Sequence, residues 1–104
     1  MILGMKLDIN NTPDTIYATL SGRLDTAASS DFSRDMMPMM DDACKHIVLD
    51  CSQLEFISSS GLRLLLMLRK QTIAQGGDIT IKGVNDVVKQ VFTITGFYAL
   101  FNFE

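Results

Sequence analysis

Three consecutive hydroxyls, Ser58-Ser59-Ser60, stand just ahead of Gly61 and the apolar run LRLLLMLRK. Serines at a helix mouth accept hydrogen bonds from the unpaired N–H groups of the first turn, so one of the three suits the N-cap. The same N–H groups and the helix dipole attract anions, so a phosphate carried by one of these serines would also be tolerated there. Capping and modification are therefore the two roles open to this cluster.

Other chemistry-bearing residues are sparse. His46 is the only histidine, and no cysteine or second histidine is spaced to join it as a metal ligand. Cys44 and Cys51 form neither a CxxC pair nor a zinc pattern and read as reduced core thiols. Asp41 and Asp42 fall at a solvated helix end. The chain lacks a glycine-rich phosphate loop, HExxH and GxSxG, and SSSGLR lacks the lysine of SxxK. No catalytic residue, metal or cofactor is expected.

Composition narrows the class further. The 104 residues suffice for a single domain over 1–104, and 47% apolar with 20% charged residues is ordinary for a globular chain. A net charge of −3 offers nothing to attract nucleic acid. No apolar run reaches membrane-spanning length, since Arg63 and Arg69 bound LLLML. The start, MILGMKLDIN, lacks a basic n-region and is broken at Lys6, unlike a signal peptide. A cytoplasmic protein is expected, with no membrane insertion.

The elements that must position the serines follow from periodicity. Leu3, Met5, Leu7 and Ile9 alternate with polar residues as in a half-buried strand, NNTPD reads as a turn, and Ile16, Ala18 and Leu20 form the second arm of a hairpin. Ser21 to Asp25 ends that hairpin, and Asp25 is placed to cap the next helix. That helix spans about Thr26 to Asp42, interrupted at Pro38, with Met36, Met37, Met39 and Met40 as an adaptable face. His46 to Leu49 reads as a central strand covered on both faces, followed after a short loop by the serines. The second helix runs from about Ser59 to Gln75 and stops at Gly76-Gly77. Its stripe of Leu62, Leu65, Leu66 and Ile73 is widened by Leu64, Met67 and Leu68 beyond one face, while Arg63 and Arg69 must reach solvent. DITIK is a further strand, so residues 46–82 make a right-handed βαβ crossover. A third helix covers about Asn85 to Thr95, with Val87, Val88, Val91 and Phe92 inward, and the aromatic tail FYALFNFE lies back over the core. The fold class is α/β, a small sandwich with a mixed sheet of four or five strands.

With these elements in place, Asp50, Ser52, Leu54, Phe56, Ser59, Ser60, Gly61 and Leu62 resemble the core motif of STAS domains, and more specifically of bacterial anti-sigma factor antagonists (anti-anti-sigma factors). Gly22 to Asp25, GRLD, is similar to the family's G-x-L-D element before its first helix. Val87, Val91, Thr95-Gly96-Phe97 and Leu100-Phe101 are similar to its closing helix and the turn after it.

The resemblance implies a switch and not an enzyme: the unphosphorylated protein sequesters an anti-sigma factor, itself a serine kinase, and frees the sigma factor, so transcription is regulated by partner exchange. Phosphorylation at the start of the second helix ends that binding, and a PP2C-type phosphatase resets it. By position the modified serine is Ser59, with Ser58 and Ser60 as the neighbouring alternatives; the family usually places an aspartate where this chain has Ser58. Arg23, Asp25, Ser58, Ser60 and Gly61 are the implied partner-binding residues, Asp25 shaping the kinase-facing loop besides its cap; Arg63, a cation beside the serines on the exposed edge of a helix too broadly apolar for one face, is expected to join them. The alternative within the same resemblance is an accessory subunit of a lipid or solute transport complex, without a phosphoserine cycle.

Overall fold

A computed structural model describes residues 5–104. Chain order is β1 (Met5–Asn11), β2 (Thr15–Leu24), α1 (Thr26–Asp35), α2 (Met37–Asp41), β3 (His46–Ile57), α3 (Ser59–Gln75), β4 (Asp78–Lys82), α4 (Asp86–Ile94), a 3₁₀ turn (Tyr98–Leu100) and β5 (Asn102–Phe103). The five strands form one sheet in sequence order, antiparallel between β1 and β2 and parallel elsewhere. The tail thus supplies the fifth strand, and the βαβ crossover lies where the sequence placed it. Leu3, expected on the first strand, lies outside the described residues.

Register explains the core. Ile16, Ile47 and Ile79 line up across the sheet, as do Ala18, Leu49, Ile81 and Phe103. These rows face the helices and meet buried Phe32, Met36, Met39, Leu62, Leu65, Leu68, Val88 and Phe92. The alternate row of Tyr17, Val48, Thr80 and Asn102 is exposed or half-buried. The sheet is therefore covered on one face, which corrects the expectation that the strand at Val48 is buried on both. Val48 sits where a β-branched side chain suits a pleated surface without needing a second layer.

Both strands leading to the helices run longer than their sequence pattern suggests. β2 continues through Ser21 and Gly22 to Leu24, and the residues of β3 after Leu49 are strand and not loop. Buried positions on β3 are Ile47, Leu49, Cys51, Leu54 and Ile57, so the period of two changes to three. Opposite them, Thr19 pairs with Asp50 but Ser21 with Gln53, and Gly22 with Leu54 but Arg23 with Phe56. Each shift inserts one extra residue in β3, a bulge that keeps the apolar side chains inward while the strict alternation is lost.

The first helix breaks at Met36, ahead of Pro38, giving α1 and α2. α3 spans the expected residues and ends at Gly76, with φ of 84°. Its inward row is Leu62, Leu65, Leu68 and Thr72; Ile73 is 62% exposed, and Leu64 and Leu66 are half-buried. Arg69, expected in solvent, is half-buried because its Nε donates to the Leu100 carbonyl at 2.5 Å and fastens the tail to α3. On α4, Val88 and Phe92 face inward, Val91 is half-buried, and Val87 is 54% exposed instead of inward. Val87 lies about 100° around the helix from Val88, outside the arc that Val88, Val91 and Phe92 turn to the core.

Gly61 is the point of closest approach between α3 and the sheet. A Cβ there would lie 2.7 Å from Leu24 Cγ and 3.1 Å from Ile57 Cγ1, both on fully buried side chains. Gly61→Ala should therefore destabilise the domain, although alanine is intrinsically the better helix former. Overpacking of about 1–3 kcal/mol outweighs a propensity gain of about 1 kcal/mol. Urea titration followed by circular dichroism checks it; a stabilised variant would show that the Leu24 contact relaxes freely.

Candidate functional site

The C-terminal ends of β2 and β3 lie side by side, with Arg23 opposite Phe56 and Leu24 opposite Ile57. One hydrogen bond closes this ladder: Ser58 N–H donates to the Leu24 carbonyl at 2.8 Å. The segments GRLD and SSSGL, distant in sequence, therefore meet at one end of the sheet. Each chain turns there directly into a helix. Asp25 caps α1, its Oδ1 accepting from Ala28 N–H at 2.9 Å. Ser58 caps α3, its Oγ accepting from Gly61 N–H at 3.2 Å.

This geometry separates the three serines. Ser58 is half-buried, extended (φ −88°, ψ 170°) and occupied as the cap. Ser59 is exposed at the first helical position, and among the described residues its hydroxyl makes no side-chain hydrogen bond. Ser60 is half-buried. A serine and an aspartate are comparable N-caps, so Ser58 supplies the capping oxygen without the charge. The first turn of α3 contains no acidic residue.

The exposed side of α3 continues from Ser59 through Arg63, Met67 and Lys70, spaced four, four and three residues apart and therefore on one stripe. Met67 is 50% exposed between the two cations. Charge beside the serines marks Arg63 in the sequence, whereas Met67 is one of a broad apolar set and Lys70 has no local mark; the i, i+4, i+8, i+11 spacing from Ser59 is the signal that joins them. Arg23 lies at the same end of the sheet as the serines, its guanidinium stacked 4.7 Å from the Phe56 ring centroid.

Two other motif residues serve the backbone. Asp50 Oδ1 accepts from Ser52 N–H at 3.0 Å, beside the first bulge of β3. That bond, a second to the Ser52 side chain and the charge of Lys82 hold the Asp50 carboxyl below its ordinary value. Burial, with a smaller contribution from the Asp50 charge, pushes the Cys51 thiol up to about 12, whereas Cys44, expected in the core, is exposed between α2 and β3. His46 pairs with Asp78 across β3 and β4, at the opposite end of β3 from Ser58.

The STAS domain model matches residues 6–104, and the chain belongs to this family. Among its relatives, BtrV of Bordetella bronchiseptica, assigned as an anti-sigma factor antagonist, is 30% identical over 93% of this chain and 84% of its own length. The intermembrane phospholipid transport system binding protein MlaB of Escherichia coli is 36% identical over 86% of this chain and 84% of its own. Among solved structures, the unphosphorylated anti-sigma factor antagonist SpoIIAA superposes with a TM-score of 0.79 at 21% identity, covering 95% of this chain and 88% of that one. The phosphorylated form of SpoIIAA from Bacillus gives 0.71 at 20% identity, covering 95% and 91%. The five-stranded α/β arrangement of the chain is that of these antagonists.

Two outcomes follow from the local geometry. Ser58→Ala should lower stability by about 1 kcal/mol through the lost cap, while Ser58→Asp should retain it; thermal melts compare the two. Among the cysteines, Cys44 should react quickly with a thiol reagent near pH 8 and Cys51 only on unfolding. Because the folded Cys51 pKa lies above its unfolded value, its contribution to stability is complete below pH about 9 and is lost as pH rises toward about 12. Denaturant midpoints measured across alkaline pH, with Cys51→Ala as control, test that sign.

Proposed function

We propose that the chain is an anti-sigma factor antagonist that docks an anti-sigma serine kinase on the exposed stripe of α3 and is released when Ser59 is phosphorylated. The observation carrying this reading is the division of labour at the helix mouth. Ser58 already makes the cap, so Ser59 can be modified without costing the helix its first hydrogen bond. Phosphorylation adds about −1.5 to −2 charges, and at a helix N-terminus this stabilises the helix by a few tenths of a kcal/mol. The switch therefore acts across the interface and not by melting the domain. A charge left desolvated and unpaired at an interface costs roughly 2–5 kcal/mol, equivalent to about thirty-fold to several-thousand-fold in affinity. Arg23, Asp25, Ser60 and Arg63 frame the docking surface, whereas Gly61, expected there, is buried against the sheet and serves the surface only by letting α3 close on Leu24 and Ile57; the kinase recognises the surface in the cytoplasm, and a PP2C-type phosphatase reverses the modification.

A second reading is supported by the 36% identity with MlaB and by the uncharged Ser58. On it, the same stripe docks a subunit of a lipid transport complex and no phosphate is added. Affinity capture from the native lysate, followed by intact-mass measurement after ATP addition, separates the readings: a kinase-like protein and one added phosphate on Ser59 support the first. A transporter subunit and an unchanged mass replace it with the second.

Ser59→Ala should fold, resist phosphorylation and bind the kinase persistently; Ser59→Asp should fold and bind more weakly. Fragmentation mass spectrometry must place the phosphate on Ser59 and not on Ser58 or Ser60. Arg63→Glu should weaken binding about tenfold or more with little change in melting temperature, and unchanged calorimetric affinity would remove Arg63 from the surface. Asp25→Asn keeps a capping oxygen and drops a charge, so a change in binding at constant stability assigns Asp25 to the interface.

A further inference from the structure

We propose that the open edge of β1 is a self-association surface on which a second copy of this chain adds its own β1, antiparallel and centred on Leu7. β1 is the outermost strand, paired with β2 along one edge and with no strand on the other among the described residues. Met5, Leu7 and Ile9 pack half-buried against the core, and Lys6, Asp8 and Asn10 are exposed on the opposite face. Between β1 and α1 runs a groove of about 320 Å³ lined by Met5, Leu7, Ala28 and Phe32, with Asp25, Asp31 and Asp35. Arg34 bridges two of these carboxylates, to Asp31 at 3.3 Å and to Asp35 at 3.5 Å.

A strand added at this edge must turn apolar side chains toward the groove and must not set like charges opposite one another. β1 itself meets both requirements in one register. About a two-fold axis at Leu7, Leu7 faces Leu7, Met5 faces Ile9, and Lys6 faces Asp8 twice. Centring on Asp8 opposes two aspartates, centring on Lys6 opposes two lysines, moving the axis to Met5 or Ile9 leaves both Lys6–Asp8 pairs unmade, and half-step shifts put apolar side chains against polar ones. Lys6 Nζ lies 3.6 Å from Asp8 Oδ2 within one strand, so the two charges already share a face and are within reach of each other. Lysine on an edge strand usually discourages pairing; here the neighbouring aspartate makes the discouragement selective for other partners and registers. The apolar groove side of each strand then abuts its counterpart, and the two five-stranded sheets join into one with all helices on the same side.

Sedimentation velocity and light scattering over a wide concentration range at low salt test this. The wild-type chain should form a concentration-dependent dimer. Lys6→Asp and Asp8→Lys should each weaken it about tenfold or more, and the double exchange K6D/D8K should restore it. Circular dichroism verifies that these exposed substitutions leave the fold intact. In a Cys44→Ser background, Leu7→Cys should give a reducible covalent dimer through its own copy. A wild-type chain that stays monomeric up to about 1 mM overturns the proposal. So does a dimer indifferent to the single exchanges or not regained by the double one, or an extended segment of another protein as the sole occupant of the edge. Mass is read without any partner kinase, so the result is independent of the proposed phosphoserine switch.

Discussion

The parallel ladder between β2 and β3, closed by the Ser58 N–H to Leu24 carbonyl bond, is the constraint on which the rest of the structure depends. It brings the starts of α1 and α3 to the same end of the sheet, where each strand gives way to its helix within one capping residue. Gly61 then allows α3 to settle onto Leu24 and Ile57 at a distance that no side chain permits. Together these contacts fix the angle at which Ser59 and the stripe behind it meet solvent.

The arrangement separates the residues that hold the fold from those that its surface presents. Folding energy resides in buried rows such as Ile16, Ile47 and Ile79, and in the leucines of α3 facing them, whereas the exposed stripe makes no demand on the core. A surface built this way can be altered in charge while the domain stays folded.

The uncovered sheet face and the α4 surface show how a small domain distributes its apolar residues. One layer of helices on five strands leaves Tyr17 and Val48 on the open side, and α4 leaves Val87 and Ile94 in solvent, the last at 75% exposure. The tail compensates at the far edge: Phe92 meets Phe101 and Phe103 edge-on at 5.8 and 5.2 Å, and Tyr98 stacks on Phe103 at 4.3 Å.

Much was legible in local signals, because those signals are local physics. The alternation of β1, the break ahead of Pro38, the stop at Gly76 and the capping role of Asp25 each depend on residues within one turn or one strand. The motif residues around Ser59 were likewise readable as a helix start. Tertiary structure alone decided which serine caps, because that choice depends on where Leu24 meets the chain. It also decided that β3 runs to Ile57, since its bulges move buried positions from every second to every third residue and erase the pattern that marks a strand. Ile73 and Val87 were misplaced for a related reason. Hydrophobicity says that a residue tolerates burial, but only the packing of the other elements determines whether anything covers it.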